Sequence, residues 1–324
     1  MQIFRVEGFD TMGKILPRAT AIASQISYIY VGISLVCAVT YMLLGMNAFD
    51  ASVHAMTTVA TGGFANYDAS FGPFSGSIEY AAALFMVLAA LPFVRYVQLL
   101  NGNQTAVFKD AQVRGFMMTI AFLVVLCAAV LALGQDRAFE PAFRRALFNI
   151  VSIVSGTGYA SADYMLWGPF LISLFFFAGL IGGCAGSTAC SVKIFRYQLL
   201  FASIRTQMRR IHSPNGVFSP RYEGRTVSED VLSSVMSFFV FFVVTLGLLA
   251  VALSMTGLDL VTALSGASAA LANIGPGLGP EIGPAGNYGG LNDAAKWLLA
   301  FGMLIGRLEL LAVYAILTVG FWRG

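Results

Sequence analysis

The stretch ALANIGPGLGPEIGPAGNYGG, residues 270–290, lies between two long apolar segments and holds seven glycines and three prolines. Both residue types interrupt regular secondary structure. Backbone that lacks helical hydrogen bonds is tolerated at membrane depth only where protein buries it or water reaches it. If the flanking segments span a membrane, the stretch therefore predicts an irregular loop that lines a pore.

The composition is that of an integral membrane protein. Of the 324 residues, 58% are hydrophobic and 11% are charged, whereas soluble domains carry roughly 25% charged residues. No His, Asp, Glu or Cys set with metal-ligand or catalytic spacing lies in the apolar segments, so the sequence does not favour an intramembrane enzyme. Six segments are long enough to cross a hydrocarbon core of about 30 Å: 23–46, 77–100, 113–134, 165–200, 231–256 and 295–321.

A pattern of span, short apolar stretch, glycine cluster and span occurs three times. The first copy reads FDASVHAMTTVATGGFANYDASFGPF (49–74), and the second reads FRRALFNIVSIVSGTGYASADYMLWGPF (143–170). The third, LDLVTALSGASAALANIGPGLGPEIGP (258–284), is more divergent. Gly63, Gly158 and Gly275 occupy corresponding positions, and an acidic residue follows each of them after five or six positions: Asp68, Asp163 and Glu281. This repetition predicts three equivalent structural units.

The units have the properties of ion-pore loops. Each short apolar stretch, of about 11–15 residues, is too short to span the membrane but can enter it and return as a re-entrant helix. Its partially negative C-terminal end favours a cation. The glycines that follow allow an extended return with exposed carbonyls, and rings of carbonyls replace the hydration shell of a cation in selectivity filters. The three acids would concentrate cations at the mouth of the pore.

Five stretches resemble one known family: TTVATGGF (57–64), SGTGY (155–159), GGCAGSTACSVKIFRYQLL (182–200), ALANIGPGLG (270–279) and GRLELL (306–311). Together they resemble the Trk/Ktr/HKT superfamily of potassium transporters, most closely the bacterial TrkH type. The resemblance implies an all-α integral membrane fold, with helix–pore loop–helix units around a central pore. It implies that potassium is the substrate and that no covalent cofactor is needed. The implied selectivity-filter residues are Thr61, Gly62, Gly63, Gly156, Thr157, Gly158, Asn273, Ile274 and Gly275.

Family members have four units, and three are recognisable in this sequence. Residues 1–110 resemble the second unit (pore loop 47–70), 111–226 the third (pore loop 139–163 and a basic cytoplasmic loop) and 227–324 the fourth (pore loop 258–290). The family's first repeat has no counterpart in these residues. A truncated non-conducting relic, a regulatory subunit and a sodium-permeable relative therefore remain alternatives to potassium uptake.

Two features interrupt the spans. The segment GLIGGCAGSTACSVK (179–193) is rich in small residues, which permit close helix packing; the resemblance implies instead an intramembrane gating loop at 181–191, with Gly182, Gly183 and Gly186. Arg307 lies in the middle of the last span, where a charge costs about 2.5–3.5 kcal/mol on insertion scales. An ion pair, for example with Glu309, is one interpretation. The resemblance implies that Arg307 projects into the pore below the filter.

The distribution of charge predicts the orientation. The N-terminus and the loops after even-numbered spans carry 14 Lys and Arg residues, against four on the pore-loop side, which also carries nine acids. The positive-inside rule then places both termini in the cytoplasm and the pore loops outside. The resemblance implies that the membrane is the bacterial inner membrane. The resemblance further implies a homodimer and a cytoplasmic nucleotide-binding ring of TrkA type. Nothing indicates a nucleic-acid partner.

Overall fold

The computed structural model describes residues 19–134, 138–308 and 310–323. Within these ranges the chain is helical apart from loops and one short β-hairpin. The helices are α1 (Ala19–Leu43), α2 (Ala48–Val59), α3 (Ser77–Ala89), α4 (Phe93–Leu100), α5 (Ala106–Lys109), α6 (Ala111–Gly134), α7 (Phe139–Ser155), α8 (Pro169–Gly179), α9 (Ile194–His212), α10 (Glu229–Met255), α11 (Leu260–Ala272), α12 (Asp293–Arg307), α13 (Leu310–Leu317) and α14 (Val319–Arg323). Strands β1 (Arg221–Tyr222) and β2 (Arg225–Thr226) form the hairpin, and 3₁₀ helices occupy Tyr164–Trp167 and Tyr288–Gly290.

Three helices, α1, α6 and α10, are individually long and apolar enough to cross a membrane. The pairs α3–α4 and α12–α13 meet the same criterion when each pair is taken as one span. The long helices expose many large apolar side chains, as expected for surfaces in contact with lipid. The fold class predicted from the sequence, an all-α integral membrane protein, is confirmed.

The second, fourth and sixth apolar segments are not continuous helices. Only for the fourth did the sequence analysis consider a break, as one of two interpretations. Segment 77–100 bends by 89° between α3 and α4, where Pro92 precedes α4 and has no N–H to continue a helix. The fourth segment has no helix between Gly179 and Ile194. In the sixth segment α12 ends at Arg307 and α13 begins at Leu310.

The three short apolar stretches form the helices α2, α7 and α11. Each packs against the spanning helix that precedes it, α1, α6 or α10. The Asn47 side chain caps α2 by accepting from the Asp50 N–H at 2.8 Å, and Asp259 caps α11 by accepting from Val261 and Thr262. Such caps supply partners for N–H groups that helical hydrogen bonding leaves unpaired. In addition, α7 packs on α3 and α11 packs on α8, so neighbouring units are in contact.

A buried ion pair joins the first two units. Arg144 at the start of α7 contacts both Glu79 of α3 and Glu140, the latter at 2.9 Å. The Glu79 side chain is 2% exposed. A buried carboxylate depends on its cationic partner, because removal of one member leaves an uncompensated charge.

We expect Arg144→Met to destabilise the protein by about 3–5 kcal/mol, seen as a lower melting temperature in detergent. Lys296→Ala is the matched control, because Lys296 lies 3.9 Å from Asp293 in an exposed pair and such pairs contribute about 0–1 kcal/mol. The double variant Glu79→Gln/Arg144→Met should recover part of the loss. Equal melting temperatures for Arg144→Met and Lys296→Ala would contradict a stabilising role for the buried pair.

Candidate ion-conduction site

The three glycine loops share one backbone geometry. In each loop the residue before the aligned glycine donates its N–H to a helix carbonyl five residues earlier. These bonds run from Gly62 to Thr57 (2.8 Å), from Thr157 to Ser152 (2.9 Å) and from Ile274 to Ala269 (3.0 Å). The sequence repeat is therefore also a repeat of hydrogen bonding.

The backbone dihedrals repeat in the same way. Two residues before each aligned glycine, φ is positive: 50° at Thr61, 76° at Gly156 and 53° at Asn273. The aligned glycines have φ of 64° at Gly63, 83° at Gly158 and 109° at Gly275. Positive φ is costly for residues with a Cβ. The turns after α2, α7 and α11 thus have positive φ at the same two positions relative to the aligned glycine.

Side-chain hydroxyl groups brace the first two loops at matching positions. The Thr57 hydroxyl donates to the Phe64 carbonyl at 2.9 Å, and the Ser152 hydroxyl donates to the Tyr159 carbonyl at 2.7 Å. Both pairs are seven residues apart. The third loop differs, because Ser265 exchanges hydrogen bonds with the backbone of Leu278, 13 residues further on.

The loops converge in the order first, second, third. A Cβ added to Gly63 would lie 1.9 Å from the Thr157 carbonyl oxygen, and one added to Gly158 would lie 1.7 Å from the Ile274 carbonyl oxygen. Each of these glycines therefore abuts the carbonyl of the next loop. Among the described residues, no atom lies within 4 Å of a Cβ added to Gly275. The nine residues predicted to form a filter thus lie on three adjacent loops.

Three supporting residues were missed in the sequence analysis. The Asp50 carboxylate accepts from Asn66 at 2.7 Å and from Tyr67 at 2.8 Å, which ties the start of α2 to the chain beyond Gly63. The Tyr159 hydroxyl contacts Thr57 at 2.5 Å, across the first two loops. The Tyr288 hydroxyl donates to the Gly275 carbonyl. Asp50 was detectable as an acid within an apolar approach, but the long-range partners of the two tyrosines were not.

The helix-free segment 180–193 lies directly beside these loops. Its Cys184 N–H donates to the Ala90 carbonyl at 3.0 Å, and the Thr188 hydroxyl donates to the Ala89 carbonyl at 3.0 Å, both at the end of α3. The Thr188 carbonyl in turn accepts from the Thr61 hydroxyl of the first loop at 3.0 Å. The predicted gate glycines Gly182, Gly183 and Gly186 all belong to this segment.

Arg307 contacts the same segment. Its Nη1 atom donates to the Thr188 carbonyl at 3.3 Å and lies 2.7 Å from Cys190 Sγ. Arg307, Thr188 and Cys190 line a cavity of about 210 Å³, together with Lys193 and Arg196. Among the described residues Arg307 forms no ion pair. Glu309, the alternative partner considered from the sequence, lies outside the described residues.

The three acids that follow the glycines differ in their burial and in their contacts. Asp68 and Glu281 are exposed. Asp163 is half-buried and caps the first 3₁₀ helix by accepting from the Met165 N–H at 3.0 Å. Among the described residues, Asp163 thus has a side-chain hydrogen bond that Asp68 and Glu281 lack.

Comparison with known proteins assigns the chain that carries these loops to a family. The TrkH family profile, described as a cation transport protein, matches residues 7–319. The chain belongs to the TrkH family. It is 45% identical over 325 residues to the Trk system potassium uptake protein TrkI of Halomonas elongata, covering 100% of this chain and 66% of that protein. It is 34% identical over 330 residues to the Trk system potassium uptake protein TrkH of Escherichia coli, covering 100% and 67%.

The fold agrees with a solved structure of the family. The crystal structure of the potassium transporter TrkH from Vibrio parahaemolyticus superimposes with a TM-score of 0.91 at 32% sequence identity, covering 99% of this chain and 68% of that chain. The chain thus spans about two thirds of the length of the TrkH-family relatives it matches.

We expect the converging glycines to differ in their tolerance of alanine. Gly158→Ala should destabilise the protein by about 3 kcal/mol, because the new Cβ would overlap a backbone carbonyl that cannot move independently. Gly275→Ala should cost only about 1 kcal/mol, from its positive φ. Gly247→Ala, within α10 and with no described atom within 4 Å of the new Cβ, is the control; it should stabilise the helix by about 0.5–1 kcal/mol. Melting temperatures in detergent rank the variants. A larger loss of stability for Gly275→Ala than for Gly158→Ala would contradict the close approach of the second and third loops.

Proposed function

We propose that this chain forms the potassium-conducting pore of a Trk-type uptake system. The observation that carries the proposal is the triplicated backbone geometry at residues 61–63, 156–158 and 273–275. Three copies of one strained turn, each at the C-terminal end of a re-entrant helix, are suited to present carbonyl oxygens to one cation. The names of the TrkH-family relatives support potassium as that cation.

The units are proposed to surround the pore as 1–110, 111–226 and 227–324. The space beside Gly275 is where a further pore-loop unit would complete a ring of four. Asp68, Asp163 and Glu281 raise the local concentration of cations at the outer mouth. Entry of potassium is driven by the electrochemical gradient, since each charge gains about 2.3 kcal/mol per 100 mV of membrane potential. No covalent step is required.

The segment 181–191 and Arg307 are proposed to gate the pore. Arg307 donates to the Thr188 carbonyl, and this same carbonyl accepts from Thr61 of the first glycine loop. The gate and the filter are therefore mechanically linked through one peptide group. A guanidinium without a carboxylate partner among the described residues opposes a passing cation, because two unit charges 4 Å apart repel by about 4 kcal/mol at an effective dielectric of 20.

The proposal also covers the membrane location, the oligomeric state and the regulatory partner. The transporter lies in the inner membrane with its pore loops outside and both termini in the cytoplasm, as the positive-inside rule favours. It acts as a homodimer, and a cytoplasmic nucleotide-binding ring of TrkA type controls it. The exposed arginines of α9 are suited to meet that ring, because they form a basic surface on the cytoplasmic side.

The function is tested in a bacterial host that lacks its own potassium uptake, with a gene that supplies a fourth pore-loop unit beside these residues. We expect growth at low millimolar potassium. Gly275→Ser should reduce potassium flux per folded protein by at least about tenfold, because a residue with a Cβ is strained at the positive φ of this position and shifts the Gly275 carbonyl. Gly247→Ala should have no effect. Unchanged flux and unchanged potassium preference in Gly275→Ser would contradict the filter, and sodium flux in place of potassium flux would identify a sodium-permeable relative.

The gate is tested by Arg307→Ala in the same protein. We expect flux at fixed potassium to rise severalfold, because the barrier charge and its bond to Thr188 are both lost. Arg225→Ala, at an exposed position of β2, is the control for a general loss of positive charge. If Arg307 instead forms a structural ion pair, Arg307→Ala should give less folded protein and lower flux. Flux that falls or stays level after normalisation to folded protein would exclude the barrier role.

A further inference from the structure

A second charged cavity lies at the end of α6 opposite to the pore loop that follows this helix. It has a volume of about 900 Å³ and lies where α5 and α6 meet the hairpin β1–β2. Three cationic side chains line it, together with two carboxylates: Arg95, Lys109, Arg114, Asp110 and Glu223. The ion pathway proposed above uses none of them.

Arg95 and the two carboxylates form a closed group. Arg95 Nε lies 2.5 Å from Asp110 Oδ2, and Arg95 Nη2 lies 4.0 Å from Glu223 Oε1. Asp110 also accepts from the backbone N–H groups of Gln112 and Val113, and Glu223 accepts from that of Ala111 at 3.0 Å. These contacts fix the start of α6 and leave little capacity for a ligand.

Lys109 and Arg114 have no such partners. Both side chains are exposed, and neither forms an ion pair or a side-chain hydrogen bond with any residue in the described ranges. They flank the break between α5 and α6 and face the cavity together with the polar side chains of Asn103 and Thr105. Two unpaired cations at one cavity favour an anionic ligand, although Glu223 reduces the net charge of the cavity to a single positive unit.

The position of the cavity along α6 indicates the depth of that ligand. With 24 residues, α6 is about 36 Å long at a rise of 1.5 Å per residue. This length exceeds the roughly 30 Å hydrocarbon core, so Arg114 in the first turn lies at the level of the lipid headgroups. The exposed apolar side chains Met118 (65%), Phe122 (66%) and Val125 (63%) follow at helical spacing on the same face, and Met118 also lines the cavity. The basic cavity thus continues into a stripe in contact with acyl chains.

We propose that this cavity binds one anionic phospholipid. Lys109 and Arg114 hold the phosphate, since both side chains can place a charge at the interface while their stems remain against apolar surface. An acyl chain lies along Met118 and Phe122. The headgroup of phosphatidylglycerol fits this arrangement better than that of phosphatidylcholine. The choline group would bring a further positive charge close to Lys109 and Arg114.

Native mass spectrometry of the intact protein, titrated with phosphatidylglycerol in detergent, tests the proposal. We expect one lipid to bind with higher affinity than phosphatidylcholine. The double variant Lys109→Ala/Arg114→Ala should weaken this binding about 30-fold, because each cationic residue near an anionic lipid contributes a factor of roughly five. Met118→Gln should weaken it further for a two-chain lipid but not for a soluble headgroup.

The matched control is Arg205→Ala/Arg209→Ala, which removes two exposed arginines of α9. Equal loss of binding in the two double variants would overturn the site and leave only general charge attraction. Melting temperatures of each variant without lipid separate loss of binding from loss of folding. A further experiment measures the melting temperature with inorganic phosphate at millimolar concentration in place of lipid. If it protects the protein as well as the lipid does, and Lys109→Ala/Arg114→Ala abolishes that protection, the cavity takes free phosphate and the lipid proposal is wrong.

Discussion

Peptide groups that leave a helix at membrane depth must find partners within the protein, because the hydrocarbon core offers none. The segment 180–193 satisfies this constraint through contacts with several other elements. The end of α3 accepts from Cys184 and Thr188, Thr61 and Arg307 donate to the Thr188 carbonyl, and the Phe93 N–H donates to the Gly186 carbonyl at 2.9 Å. The breaks in all three even-numbered apolar segments meet at this one segment. Through Thr188 this segment is in direct contact with both the first glycine loop and Arg307.

The same constraint explains why glycine recurs in the converging loops. Gly63 and Gly158 allow the next loop to approach until its carbonyl occupies the position of an absent Cβ. This approach places the backbone of the three loops side by side. In the first two loops the hydroxyl groups of Thr57 and Ser152 bind the chain after the aligned glycine to the preceding helix. Conformational freedom at the glycine is thus combined with rigid support around it. This combination is what a binding site for a bare cation requires, since the carbonyls must keep their spacing when water is lost.

The charged side chains discussed above fall into two groups. Some form buried ion pairs, and others are cations with no carboxylate partner among the described residues. The contacts of Arg144 with Glu79 and of Arg95 with Asp110 are short and well buried, and they join units or fix helix ends. Arg307, Lys109 and Arg114 lack carboxylate partners among the residues described. A cation without a fixed counter-charge raises the local potential, which repels a cation in a pore and attracts an anionic headgroup at an interface. The two proposed roles therefore follow from the same electrostatic property in different surroundings.

The sequence by itself determined the membrane class and the threefold repeat, because apolar length and glycine spacing are local properties of the chain. For the fourth apolar segment it left close helix packing and an intramembrane loop as alternatives. Gly63, Gly158 and Gly275 were aligned from residue order alone, and their φ values agree with that alignment. Only the tertiary structure decided that Gly158 abuts Ile274, that Tyr159 reaches Thr57 and that Arg307 meets Thr188. These contacts join residues about 100 or more positions apart. Their existence depends on how the helices pack, and no local pattern in the sequence records it.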